Sequence, residues 1–124
     1  MVINDWAMKL LPMRFRETQS QWFAKRRISW HFSAVVHKSN HPDCPVVSAS
    51  EHTIYTHVVA IDSCKEDWFS VSCILEEVLL CVKESYQSVC RAILRSDNAG
   101  CYHFSALMST INSISRSSGI EEDW

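Results

Sequence analysis

The strongest pattern in this sequence is a series of apolar residues spaced three or four positions apart in the second half of the chain. The series consists of Val71, Ile74, Leu75, Val78, Leu79, Val82 and Tyr86. This spacing aligns the side chains along one face of an α-helix, and such a face is stable in water only when another element covers it. The chain must therefore supply a sheet or a second helix for this face. Asp62 and Ser63 are candidates to cap the first turn of the helix.

Four segments have the composition of β-strands. They cover residues 2–11, 28–36, 52–61 and 90–95. The third segment is rich in β-branched and aromatic side chains, and the fourth is short and apolar. In the second segment Ile28, Trp30 and Phe32 alternate with polar residues, which is typical of a half-buried strand.

The remaining segments have weaker patterns. A second helix is predicted over about residues 101–114, with Phe104, Leu107 and Met108 on its apolar face. We expect a loop over 38–51, a turn over 96–100 and a frayed tail over 115–124.

The order strand, strand, strand, helix, strand, helix predicts an α/β fold with a mixed sheet. Three consecutive strands pair most simply as an antiparallel meander, and the helix then crosses over to a fourth strand parallel to the first. A chain of 124 residues has room for one hydrophobic core, so we expect a single domain over residues 1–124.

Composition limits the class of protein. Hydrophobic residues make up 47% of the chain and charged residues 21%, which is typical of a soluble globular protein. No apolar run approaches the roughly 20 residues of a bilayer span, and the N-terminus has no signal-peptide pattern. We therefore expect an intracellular protein without a membrane partner, whose six cysteines are reduced thiols. No glycine-rich phosphate loop is present, so we expect no small-molecule cofactor.

Basic residues are concentrated in the first third of the chain. Residues 1–38 contain seven Lys and Arg against two acids, a net charge of +5, and residues 39–124 contain five against twelve, a net charge of −7. The basic set includes Arg14, Arg16, Lys25, Arg26 and Arg27. Such a cluster can follow the phosphate backbone of DNA, although charge alone favours a solvated hairpin tip.

Two aspartates occupy unusual positions. Asp5 lies inside the first apolar strand, and Asp97 lies at the end of the fourth. If those strands are neighbours, both carboxylates can converge on one point and hold Mg²⁺ or Mn²⁺ through oxygen ligands. The alternative is that Asp97 only forms a turn, as acids after strands commonly do.

Four sequence segments carry a resemblance to known proteins. They are DWAMKLLP from Asp5, RETQSQWFAKRRISWH from Arg16, IDSC from Ile61 and LRSDNAGCYH from Leu94. Together they resemble an uncharacterised group of animal proteins that is similar to the cores of DDE-type transposases and integrases, over about residues 5–120. The resemblance implies an RNase H-like fold of mobile-element origin and metal-dependent chemistry on DNA phosphodiester bonds, in the nucleus.

The same resemblance assigns roles to individual residues. It implies that Asp5 and Asp97 are the catalytic metal ligands, with Asp62, Asn98 and Gly100 supporting them. Glycine after the acid would allow a positive φ or a close backbone approach. The alternative for Asp62 is a helix cap.

The sequence departs from the family pattern at its end. The family's third acid lies on a later helix, and this chain ends at Trp124 before a fifth strand is expected. We therefore expect a fold that is incomplete at the C-terminus and inactive alone.

Two other functions and one further partner remain open. One function is a non-catalytic interaction fragment, which predicts an exposed apolar patch or sheet edge. The other is a small zinc-stabilised binding module using His37, His41 and Cys44, with Cys101 and His103 as further ligands. A second copy of the chain is a further possible partner.

Overall fold

The computed structural model describes residues 1–11, 15–23, 27–38, 52–62, 64–97 and 99–123. Five strands and three helices lie in these ranges: β1 (Val2–Trp6), α1 (Gln19–Phe23), β2 (Ile28–Lys38), β3 (His52–Asp62), α2 (Trp68–Ser85), β4 (Arg91–Ser96), α3 (Ser105–Ser118) and β5 (Glu121–Asp123). None of these helices is long and apolar enough to span a bilayer.

The five strands form one mixed sheet in the order β3-β2-β1-β4-β5. β2 is antiparallel to both β1 and β3, β4 is parallel to β1, and β5 is parallel to β4. The predicted α/β class, the antiparallel meander and the parallel crossover are therefore confirmed. The fifth strand was not predicted.

The C-terminal segment is ordered into structure, so the expected frayed tail was wrong. α3 continues to Ser118 and ends at Gly119, which adopts the left-handed conformation at φ 68° that glycine accepts most readily. Ile120 is fully buried, and the Glu121 N–H donates to the Cys90 carbonyl at 2.8 Å. Burial of Ile120 and pairing with β4 stabilise this segment. Both are tertiary contacts, which a short polar segment of sequence does not predict.

α2 and α3 pack on one face of the sheet. The core contains Leu75 and Leu79 from α2, Ile114 from α3, and Val2 and Leu94 from the strands. The apolar positions predicted for the first helix are buried from Val71 to Val82, which confirms that pattern. α2 begins later than expected because β3 extends to Asp62, and its cap is Asp67, which accepts the Ser70 N–H at 3.0 Å.

The second helix also begins later than predicted. Residues 100–103 form a turn and a bend, and α3 starts at Ser105. Leu107 is buried as expected, but Phe104 and Met108 are exposed. The apolar spacing therefore located the helix without fixing which of its apolar residues reach the core.

The face of β2 that packs inward is the one that carries its polar side chains. Ser29, His31 and Ser33 are buried, whereas Trp30 and Phe32 are exposed on the opposite face. The alternation thus predicted the strand, but the apolar face that it suggested for burial faces solvent. Hydrogen bonds among the buried polar groups compensate for their desolvation.

The opposite side of the sheet, called the open face below, is not covered by α2 or α3. Its large apolar residues are between 38% and 64% exposed: Ile3, Trp30, Phe32, Ile54, Val58 and Ile93. Strand pairing places them on the same side of adjacent strands. An apolar surface that spans several strands is typical of a binding surface.

Candidate functional site

The two predicted carboxylates lie at corresponding positions of adjacent parallel strands. Asn4 of β1 pairs with Ser96 of β4, and Asp5 and Asp97 are the next residues along the two segments. Neighbouring strands lie about 4.8 Å apart, so the two backbones are close at this point. Both side chains are exposed. We call Asp5 and Asp97 the carboxylate pair.

A compact turn follows Asp97. One of its carboxylate oxygens accepts the Ala99 N–H at 3.1 Å, and the Ala99 carbonyl accepts the Tyr102 N–H at 3.0 Å. The first bond is an aspartate turn, the alternative that the sequence left open for this residue. It engages one carboxylate oxygen and leaves the second available to a ligand.

A chain of hydrogen bonds connects this turn to the interior of the sheet. The Tyr102 hydroxyl lies 3.0 Å from His31 Nε2, and His31 Nδ1 lies 3.3 Å from Ser33 Oγ. The Ser33 hydroxyl donates to Asn4 Oδ1 at 2.8 Å. All four side chains are at most 2% exposed. This polar chain therefore joins β1, β2 and the turn behind the carboxylate pair.

Burial determines the ionisation of His31. Desolvation lowers its pKa to about 4, so the imidazole is neutral at pH 7 and one ring nitrogen can accept a hydrogen bond. The Trp6 ring packs edge-on against it, with centroids 4.9 Å apart. His31 is thus fixed in orientation by Trp6, Ser33 and Tyr102.

Negative charge is concentrated around Tyr102. Burial raises the pKa of its hydroxyl, and the neighbouring Cys101 thiol and the carboxylates of Asp5 and Asp97 raise it further. Glu66, just before α2, adds to the same effect and forms an ion pair with Lys9, Nζ to Oε1 3.4 Å. The electrostatics therefore place both members of the carboxylate pair within interaction range of one buried hydroxyl.

A shallow cavity of about 410 Å³ lies on the β4 side of the pair. It is lined by Leu94, Arg95, Ser96, His103 and Met108. β5 pairs only with the first half of β4, up to Ile93, which leaves this part of the strand accessible. Arg95 can offer hydrogen bonds and positive charge to an anion there, and His103 can offer a hydrogen bond.

Asp62 lies apart from the carboxylate pair. Through β2, Asp5 is level with Val58 of β3, because Asp5 pairs with Phe32 and Phe32 pairs with Val58. Asp62 lies four positions beyond Val58, on a strand that is separated from β1 by β2. At about 3.3 Å per residue this offset alone is roughly 13 Å. A supporting role for Asp62 at the pair therefore lacks the required proximity, and Asp67 takes the capping role.

Gly100 has neither of the properties expected of it. Its φ is not positive, since Gly119 is the positive-φ glycine in the described residues, and a Cβ at Gly100 would meet nothing within 4 Å. The turn therefore does not require glycine for a backbone reason at this position. Asn98, the other residue predicted there, lies outside the described residues.

Most of the basic cluster also lies outside the described residues, namely Arg14, Lys25 and Arg26. Arg16 and Arg27 are described and exposed, and the Arg16 guanidinium lies 5.4 Å from the Phe15 ring centroid. Exposure of these two side chains leaves them accessible to a phosphate backbone.

The zinc hypothesis receives no geometric support from the described residues. His41 and Cys44 are outside them, and His37 packs against the ring of Tyr86 with centroids 4.3 Å apart. Burial raises the pKa of the Cys101 thiol, which disfavours the thiolate that zinc binds. Among the described residues, no group of three or more His, Cys, Asp or Glu side chains is placed to hold a metal ion.

The carboxylate pair offers the donor type that Mg²⁺ and Mn²⁺ prefer, namely carboxylate oxygens. Mg²⁺ is commonly held by one or two carboxylates, with water and substrate phosphate completing the shell. Asp5 and Asp97 would supply two such ligands, and water or substrate would complete the shell.

The residues that the sequence did not identify are Tyr102, His31 and Glu66. A signal for His31 was present, because the polar residues of β2 recur at every second position, as expected of a buried polar row. Comparison of the chain with family models, with curated proteins and with solved structures found no match.

Proposed function

We propose that this chain is an RNase H-like domain of the DDE transposase and integrase type, whose Asp5 and Asp97 bind Mg²⁺ or Mn²⁺ for phosphodiester chemistry on DNA. The observation that carries the proposal is the β1–β4 register, which brings two acids 92 positions apart in sequence to adjacent strand positions. The meander, crossover helix and parallel fourth strand agree with the fold that the resemblance implies.

The location of the pair also supports this function. Ligands of open α/β sheets bind beyond the carboxyl ends of the strands, and Asp5 and Asp97 both lie at that end. Arg95 and His103 line the adjacent cavity, where they could contact a nucleic-acid phosphate. A bound divalent ion would stabilise the charge that develops on the reacting oxygens. The nucleus is the corresponding cellular location.

The supply of carboxylates limits the activity we expect from this chain. The described residues contribute two ligands, whereas the resemblance implies three. We propose that the chain binds metal through Asp5 and Asp97 without efficient strand cleavage on its own. Metal binding is therefore a sharper test than turnover.

The test is a Mn²⁺ titration followed by the loss of the free-ion electron paramagnetic resonance signal. We expect the wild-type chain to bind Mn²⁺ and Mg²⁺ to compete for the site. Asp5→Asn and Asp97→Asn should each weaken binding at least tenfold, about 1.4 kcal/mol, because each removes one of two charged ligands.

Asp62→Asn is the matched control. It removes an exposed aspartate at the carboxyl end of β3, which is the same end of the sheet as the pair but two strands away from β1. The change should leave Mn²⁺ affinity unchanged. Wild-type affinity in both Asp5→Asn and Asp97→Asn would contradict the proposal. Circular dichroism of each variant confirms that the fold is retained.

A second candidate function is a non-catalytic interaction module of mobile-element origin. The open face favours it, because Phe32, Ile54 and Val58 expose apolar area on adjacent strands. This function needs no metal, so it would remain if the Mn²⁺ titration failed. The two candidates are compatible, since the carboxylate pair lies at one end of the sheet.

A further inference from the structure

β3 forms an edge of the sheet and has an unusually regular pairing pattern. All residues from His52 to Asp62 pair one-to-one with β2 without a bulge. On its other side no strand of the described residues pairs with it. The outer edge therefore presents a long row of backbone N–H and C=O groups.

The sequence of β3 lacks the features that normally protect such an edge. Residues 53–61 contain no Lys, Arg, Asp, Glu or Pro. Soluble proteins usually place charges, prolines or bulges on exposed edge strands, since an unprotected edge pairs with other strands. The edge of β3 is thus suited to pairing.

The hydrogen bonds of β2 determine which β3 groups point outward. Trp30 O accepts from Ala7 N at 3.0 Å and Val36 N donates to Met1 O at 2.8 Å, so the even-numbered residues of β2 bond to β1. Its odd-numbered residues must bond to β3, where each is paired with an odd-numbered residue. The even-numbered residues of β3 therefore direct their N–H and C=O groups outward: Ile54, Thr56, Val58 and Ala60.

This outward row is complementary to itself. In an antiparallel pair of β3 strands with His57 on the two-fold axis, Ile54 faces Ala60 and Thr56 faces Val58 of the second copy. Both of these facing pairs are of the outward-bonding kind and each occurs twice under the symmetry, which allows about eight backbone hydrogen bonds. At each end His52 of one copy faces Asp62 of the other, an arrangement in which the imidazole can donate to the carboxylate.

We propose that two copies of this chain associate through β3 in this register, forming one continuous sheet across a two-fold axis. The open face supports the association, since Ile54 and Val58, 64% and 51% exposed, would lie beside the same surface of the second copy. A second copy supplies, under one symmetry operation, both the complementary backbone row and a facing His52 and Asp62 at each end, which an unrelated strand would not.

The first test is a charge exchange at the ends of β3. Sedimentation equilibrium should show a wild-type dimer. His52→Asp places two carboxylates opposite each other at each end and should raise the dimer dissociation constant at least tenfold. The double variant His52→Asp/Asp62→His restores an opposed pair and should recover most of the affinity. Thermal unfolding of each variant separates loss of pairing from loss of fold.

The second test is a disulfide across the axis. His57→Cys should form an interchain disulfide between the two introduced thiols, since facing residues of a non-hydrogen-bonded pair lie about 4.5 Å apart at Cα. Ala60→Cys is the matched control, because its two copies would be roughly 20 Å apart. Peptide mass spectrometry distinguishes this bond from those of the natural cysteines.

The outcomes decide the proposal. A wild-type chain that stays monomeric at about 100 µM would overturn it, as would a dimer in which the His57→Cys disulfide does not form or the charge exchange has no effect. Capture of a different protein's strand by a monomeric chain would also overturn it. None of these results depends on metal binding at Asp5 and Asp97.

Discussion

At the scale of single residues, the buried His31 and the half-buried Glu122 have opposite effects on stability as pH changes. His31 is a base whose pKa is lowered, and Glu122 is an acid whose pKa is raised. Between about pH 4.5 and 6.5 the first favours folding as pH rises, while the second disfavours it. The two effects largely cancel in this range, so we expect the free energy of unfolding of the wild-type chain to depend only weakly on pH. Each effect should become visible when the other group is substituted.

His31 should be responsible for acid sensitivity. Its pKa is about 4 in the folded chain, against the ordinary value of 6.5 for an exposed histidine, so the unfolded chain takes up a proton first. Its stabilising effect is complete above pH 6.5 and is lost as pH falls towards 4. The His31→Gln variant lacks this titration, so its free energy of unfolding should fall less on acidification. The stability advantage of the wild type over the variant should therefore shrink by up to about 3 kcal/mol.

Urea denaturation at several pH values measures this difference. Tyr102→Phe is the control, because it removes the hydroxyl that contacts His31 and leaves the imidazole in place. It should cost about 1–3 kcal/mol at pH 7 and retain the acid sensitivity. A constant gap between His31→Gln and wild type across pH 4–7 would show that His31 is not the source.

Glu122 should destabilise the chain at alkaline pH. It points inward from β5 opposite the buried Ala92, and neither carboxylate oxygen has a hydrogen-bond partner in the described residues. Burial raises its pKa to about 7, so stability falls as pH rises from 4.5 through 7. Glu122→Gln should add about 1–2 kcal/mol at pH 8, after allowance for solvent screening, and little at pH 4.

Thermal unfolding of Glu122→Gln and wild type at pH 4 and pH 8 tests this. Glu121→Gln is the adjacent control, exposed on the open face, and should change neither value. Equal stabilisation by Glu122→Gln at both pH values would indicate a packing effect instead of a titration effect.

At the scale of elements, α2 provides much of the core. Leu79 is 0% exposed and its neighbour Leu80 is 41% exposed. Leu79→Ala should cost about 3 kcal/mol, because it leaves a cavity between helix and sheet, and Leu80→Ala should cost less than about 1 kcal/mol. Chemical denaturation of both variants measures the contrast, and similar losses would mean that α2 does not pack as described.

The C-terminal segment is a second test at this scale. Ile120→Ala should cost about 2–4 kcal/mol, since the side chain is fully buried between α3 and the sheet. A frayed tail would instead tolerate the change. Ile93→Ala, on the open face, is a matched isoleucine control and should have a smaller effect.

At the scale of the whole molecule, α2 and α3 cover one side of the sheet, and no strand of the described residues pairs with the outer edge of β3. In the monomer, the outward N–H groups of Thr56 and Val58 should exchange with solvent rapidly, whereas those of Tyr55 and His57 should be protected by β2. Hydrogen exchange followed by nuclear magnetic resonance at low and high concentration measures both states. Association through β3 predicts that protection of the outward amides appears only at high concentration.

Whole-molecule geometry also governs the candidate site. Asp5 and Asp97 become neighbours only because α2 carries the chain from β3, at the edge of the sheet, to the far side of β1. The sequence predicted this crossover from its strand and helix order, and the structure bears out the parallel pairing. The function of the pair remains a proposal that the Mn²⁺ titration tests.

Features that depend on local periodicity could be predicted from the amino-acid sequence alone. The buried face of α2 follows from its apolar spacing of three and four residues, and four of the strands follow from segments that alternate, are rich in β-branched and aromatic residues, or are short and apolar. Even here the ends were displaced: β1 is shorter than predicted and β3 continues through Asp62. Strand and helix ends depend on pairing partners, which local sequence does not contain.

Which side of the sheet is buried depends on the packing of the helices in three dimensions. Local alternation favoured burial of Trp30 and Phe32, but the packing of α2 and α3 placed His31 and Ser33 inside. The polar side chains are tolerated there because Asn4 and Tyr102, from distant parts of the chain, complete their hydrogen bonds. Such partners are brought together by folding, so burial of a polar row can be judged only in three dimensions.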